Sequence, residues 1–128
     1  MLPVTALYAG LIALLFVVLS IRVILFRRTL GASVGDIGDK NMLKAIRTQA
    51  NCAEYAPFAL LLMAILELQD GASWALHALG LMLLVGRLAH AYGFGRTPQI
   101  IPLRQVGMVL TFSCIILSGF GLIGSVLF

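Results

Sequence analysis

Four long apolar runs divide this chain, each near the roughly 20 residues a helix needs to cross a bilayer. They cover residues 4–26, 50–66, 74–94 and 106–127; the first connection is long and Gly-rich, the second short and acidic, and the third holds the turn residues Gly93, Gly95, Pro98 and Pro102. A polar stretch from Asn41 leads into the second run, and Arg104 stands just ahead of the fourth. Helices are therefore expected at about 4–26, 41–66, 74–94 and 104–127. Apolar residues make up 61% of the chain, the mean hydropathy is +1.05, and only 11% of residues are charged. A soluble domain of 128 residues could not bury that much apolar surface, whereas lipid can cover it. The expected fold class is all-α: an integral membrane four-helix bundle in one domain spanning residues 1–128.

The first basic residue, Arg22, follows the first apolar run instead of preceding it. That is the wrong order for a secretory signal, so the first run reads as a retained spanning helix. All nine Lys and Arg residues fall at or near the first and third connections, and none near the second connection (67–71) or the termini. The positive-inside rule then places the first and third connections in the cytoplasm, and the termini and residues 67–71 on the opposite side. The net charge of +4 is read as topology and headgroup attraction, not as nucleic-acid binding. Cys52 and Cys114 lie inside spanning runs without CxxC or His/Cys metal spacing, which argues against a disulfide or zinc site.

Some polar residues lie too deep for a topological role. Arg47, Asn51 and Glu54 recur at helical spacing and share one face of the second helix, with Tyr55 at its edge. Arg87 and His90, three apart, share a face of the third. Charges inside spanning helices are expensive and point to a partner or to water within the bundle. Glu54 and Arg87 are opposite in sign and at comparable depth, so they are expected to pair or to share a ligand. Arginines select carboxylate or phosphate groups, and a carboxylate selects an ammonium group. A small anionic zwitterion fits this set. Glutathione is one such molecule, and phospholipid headgroups or other anionic metabolites fit as well.

The second-helix run Arg47-Thr48-Gln49-Ala50-Asn51-Cys52-Ala53-Glu54-Tyr55-Ala56-Pro57-Phe58 resembles the signature of the MAPEG family, the membrane-associated proteins in eicosanoid and glutathione metabolism. The third-helix run Gly86-Arg87-Leu88-Ala89-His90 is similar to the same family. The loop Gly35-Asp36-Ile37-Gly38-Asp39 and the ending Tyr92-Gly93-Phe94 look like its small bacterial members. The resemblance implies a bacterial inner-membrane homotrimer holding glutathione, as co-substrate, between neighbouring subunits near the cytoplasmic side. It implies that Arg27, Arg47, Asn51, Glu54, Tyr55, Arg87 and His90 bind the tripeptide, and that Arg104 is the catalytic residue favouring the thiolate. Phe94, Gln105 and Met108 replace hydroxyl-bearing residues of the eicosanoid enzymes, which argues against that chemistry in particular.

The expected activity is transfer of the glutathione thiolate to a lipophilic electrophile, or reduction of lipid hydroperoxides. Two other classes stay open: a non-catalytic lipid-binding or scaffold protein of the same fold, and a small proton-coupled transporter with Glu54 as proton carrier. The first helix has no acidic residue, which ranks the transporter last. The glycines Gly119, Gly121 and Gly124 are expected to allow close helix packing. Tyr8 and Trp74 read as interfacial anchors.

Overall fold

The computed structural model describes all residues, 1–128, and contains four helices: α1 (Pro3–Leu30), α2 (Lys40–Leu68), α3 (Ser73–Gly95) and α4 (Ile101–Leu127). All four are long and apolar enough to span a membrane. Their outward residues are those lipid would cover: Leu14, Val18, Val109 and Phe120 are each more than 60% exposed.

Local chemistry sets the helix ends. α1 runs a full turn beyond its last long apolar stretch, because Arg27, Arg28 and Thr29 are all compatible with helix. It stops at Gly31, whose left-handed backbone (φ 67°) suits a residue without Cβ. Arg27 and Arg28 thus sit in the last turn, where cations offset the negative end of the helix dipole. α2 begins after Asp39, whose carboxylate accepts from the Met42 N–H at 2.8 Å. α4 starts at Ile101, so Arg104 lies in its first turn.

α2 and α3 form the middle of the bundle. α1 packs on both, α4 packs on both, and α1 and α4 do not touch. The core between them holds Ile12, Leu19, Cys52, Ala59, Met63 and Leu83. Both cysteines are buried free thiols. α3 and α4 approach closely at Gly86 and Gly107, and again at Gly93 and Arg104. A Cβ added at Gly107 would fall 2.5 Å from the His90 nitrogen and 2.6 Å from the Gly86 oxygen. The glycines expected to serve this purpose do not: Gly119 and Gly124 face open space, and Gly121 meets only a Leu66 side chain.

The two ends of the bundle differ. At the end holding the termini and the second connection, the Glu67 carboxylate accepts from the Val4 and Thr5 N–H groups, both at 2.8 Å. It thereby caps α1, which has no side-chain cap of its own. Tyr8 is buried there, not interfacial as expected. Its ring fills the space over Gly80 and its hydroxyl meets His77 Nδ1 at 3.1 Å. Trp74 is exposed, as an anchor would be. At the other end lie the first and third connections, and the Thr97 hydroxyl of the third donates to Oδ1 of Asn41, in the first turn of α2, at 2.8 Å.

Candidate functional site

Residues 47–54 make two turns of α2, and their side chains part company. Arg47 and Glu54 point out of the bundle, each side chain about half exposed, with Arg47 Nη1 3.7 Å from Glu54 Oε1. Asn51, between them, turns inward, and its Oδ1 accepts from Arg87 Nη1 at 2.5 Å. The expected Glu54–Arg87 pair does not form. Helix rotation puts the carboxylate on the outer face and gives Arg87 the neighbouring amide instead.

Arg87 is 1% exposed and has no carboxylate partner. Burying a cation this way is costly unless each donor finds an acceptor. Here Nε donates to Thr111 Oγ1 at 3.0 Å, Nη1 reaches Asn51, Nη2 meets Met108 Sδ at 3.3 Å, and the guanidinium lies 5.8 Å from the Tyr55 ring centre. Thr111 in turn donates to the Gly107 carbonyl at 2.8 Å. A guanidinium carries only donors, so it fixes the Asn51 amide with oxygen inward and leaves its NH2 group for the other side. Arg87 therefore positions Asn51 and does not itself present a surface, which departs from its expected role as a ligand contact.

The rest of the set lines the α2–α3–α4 side. The Tyr55 ring packs edge-on against Phe112 of α4 at 5.5 Å. His90 is buried at 3% exposure, its ring 5.6 Å from Phe94. The Arg104 guanidinium lies over the same Phe94 ring, 4.2 Å from its centre, and its Nη1 donates to Gln99 Oε1 at 3.1 Å. Phe94, which lacks the hydroxyl of the eicosanoid enzymes, thus serves as the platform under Arg104. The close crossing at Gly86 and Gly107 brings these α3 and α4 groups together.

Arg27 is apart from them. It sits on α1 and donates to the Gly35 carbonyl at 2.9 Å, and α1 makes no contact with α4. Thr111 escaped the sequence reading, although its spacing from Gly107 placed it on the face turned toward α3. No group of His, Cys, Asp and Glu residues capable of holding a metal is present.

A model of the MAPEG family matches residues 5–124. The chain belongs to the MAPEG family. Inner membrane protein YecN of Escherichia coli is 38% identical to it over 114 residues, covering 89% of this chain and 86% of YecN. The same protein from a second strain gives the same values. The four helices long and apolar enough to cross a membrane and the relation to an inner-membrane protein together support an integral membrane location for this MAPEG chain.

Proposed function

We propose that this MAPEG protein binds glutathione at the basic end of the bundle, between subunits of a homotrimer, and delivers its thiolate to a lipophilic electrophile or a lipid hydroperoxide. One observation carries the reading. Arg47 and Glu54, opposite charges on a spanning helix, stand half exposed on the outside of a single chain. Charges facing lipid are costly, so this face calls for a polar partner and a covering surface. A neighbouring α1 bearing Arg27 would supply the covering, since α1 and α4 of one chain lie apart.

In this reading Glu54 accepts from the glutathione ammonium group and Arg47 takes a carboxylate. The outward NH2 of Asn51 donates to a carbonyl or carboxylate oxygen, and Tyr55 and His90 border the site. Arg104, held over Phe94 with donors to spare, faces the sulfur and favours the thiolate. Lowering the thiol pKa by one unit corresponds to about 1.4 kcal/mol. In transfer, the thiol gives up its proton and the thiolate forms a carbon–sulfur bond, while the electrophile either releases a leaving group with its bonding electron pair or opens a double bond or epoxide and takes up a proton. In the peroxidase variant two glutathiones reduce the hydroperoxide to an alcohol and water and leave as the disulfide. The apolar partner enters from the bilayer, and the first and third connections face the cytoplasm, as the basic residues suggest.

The test is ultraviolet difference absorbance of detergent-purified protein titrated with glutathione at neutral pH. A saturable thiolate signal is expected, absent in Arg104→Ala and weakened in Glu54→Gln. Binding without a thiolate signal would favour a non-catalytic member of the family. No binding by folded wild-type protein would end the glutathione reading.

A further inference from the structure

We propose that the groove between α1 and α3 is a specific site for an anionic phospholipid, separate from the α2–α4 face described above. The groove opens outward at the basic end. Its walls are Val18 and Leu19 of α1 and Leu88 and Ala91 of α3, and its rim carries Arg22 and Arg96. Val18 and Leu88 are about half exposed or more, so the slot is apolar and open on the side that meets lipid.

The two arginines are what a plain acyl groove would not have. Neither lies within ion-pair distance of a carboxylate; Arg47 and Glu54 form the chain's single salt bridge. Arg22 lies two turns inside α1, in the middle of apolar sequence. It reaches along the groove to donate to the Gly95 carbonyl, and its guanidinium also lies 5.7 Å from the Phe26 ring centre. Arg96 is held by Tyr92, whose hydroxyl accepts from Nη1 at 2.5 Å and whose ring centre is 5.5 Å away. Both cations are thus oriented by neutral groups and keep donors free. Lys44 adds a third positive charge nearby, its Nζ 3.4 Å from the Arg96 carbonyl.

Oriented, unpaired guanidiniums above an apolar slot match one chemistry: a phosphate ester bearing acyl chains. Arginine meets phosphate oxygens in two-pronged contacts, and basic pockets between spanning helices take anionic headgroups. The acyl chain would lie along Val18, Leu19, Leu88 and Ala91. A zwitterionic headgroup would bring an ammonium group to the same cations and gain less.

Native mass spectrometry of the detergent-solubilised protein, with phosphatidylglycerol and phosphatidylcholine added in equal amounts, tests this. Phosphatidylglycerol should be retained preferentially. Arg96→Gln should weaken it about fivefold, the equivalent of ~1 kcal/mol per headgroup cation. Arg28→Gln removes an exposed charge from the same end but outside the groove, and should leave retention unchanged. Ala91→Phe narrows the slot with both arginines intact and should also weaken retention. Arg22→Gln follows the same expectation, with a melting curve to show that α3 still docks. Equal losses for Arg28→Gln and Arg96→Gln would reduce the effect to general surface charge and overturn the proposal. So would competition by glycerol phosphate, which has no acyl chain, or equal retention of both lipids. None of these readouts involves glutathione.

Discussion

The two ends of this bundle use their polar groups in opposite ways. At the end with the termini, donors and acceptors meet inside the chain: Glu67 with the start of α1, Tyr8 with His77, and Ser125 with Gln69 at 2.6 Å. At the basic end, Arg22, Arg96 and Arg104 contact only neutral groups (a carbonyl, a phenol hydroxyl, an amide and aromatic rings), and Arg47 has only a long, exposed contact with Glu54. A closed end holds the helices together. An end with unused guanidinium donors is suited to meet something that is not in the chain. Polar residues in a membrane bundle are therefore better judged by whether their bonds are used up than by their charge.

That contrast can be broken by substitution. The largest effect is expected from Arg104→Ala, which should abolish the thiolate signal in the glutathione titration while moving the melting temperature little. Glu67→Ala should do the reverse. It strips two backbone N–H groups of a charged acceptor, which should cost about 1–2 kcal/mol in a denaturation measurement and leave glutathione affinity unchanged. Glu54→Gln comes next: a several-fold loss of glutathione affinity in calorimetry with unchanged stability, since exposed ion pairs contribute less than about 1 kcal/mol. The smallest effect belongs to Tyr8→Phe. The ring still fills the space over Gly80 and only one neutral hydrogen bond is lost, ~1 kcal/mol or less. If Glu67→Ala weakened glutathione binding, or Arg104→Ala lowered the melting temperature as much as Glu67→Ala, the division of labour between the ends would fail.

The helix count and the gathering of cations were legible because lipid imposes a length and a composition on each crossing. Asp39 and Gly31 mark boundaries with local chemistry that a sequence displays. The partner of Arg87 was not legible. Matching opposite charges selects Glu54, but the rotation of α2 about its axis decides which residue faces α3, and that rotation gives Arg87 the Asn51 amide. The packing glycines were obscured for a related reason. With apolar residues on every face of α4, nothing in the sequence separates Gly107, pressed against α3, from Gly119, which touches nothing. Tyr8 was misplaced because aromatic residues near helix ends are usually anchors, and here Gly80 vacates a seat for the ring.

The Glu67 clasp also orders events in the making of the protein. Val4 and Thr5 are synthesised 63 and 62 residues before the carboxylate that receives their N–H groups. A nascent first helix accordingly waits with its leading amides unmet until the second helix has crossed back to the same side. The hairpin of α1 and α2, not α1 alone, is then the smallest piece whose ends are chemically complete. A ribosome and its insertion machinery would release that pair as a unit.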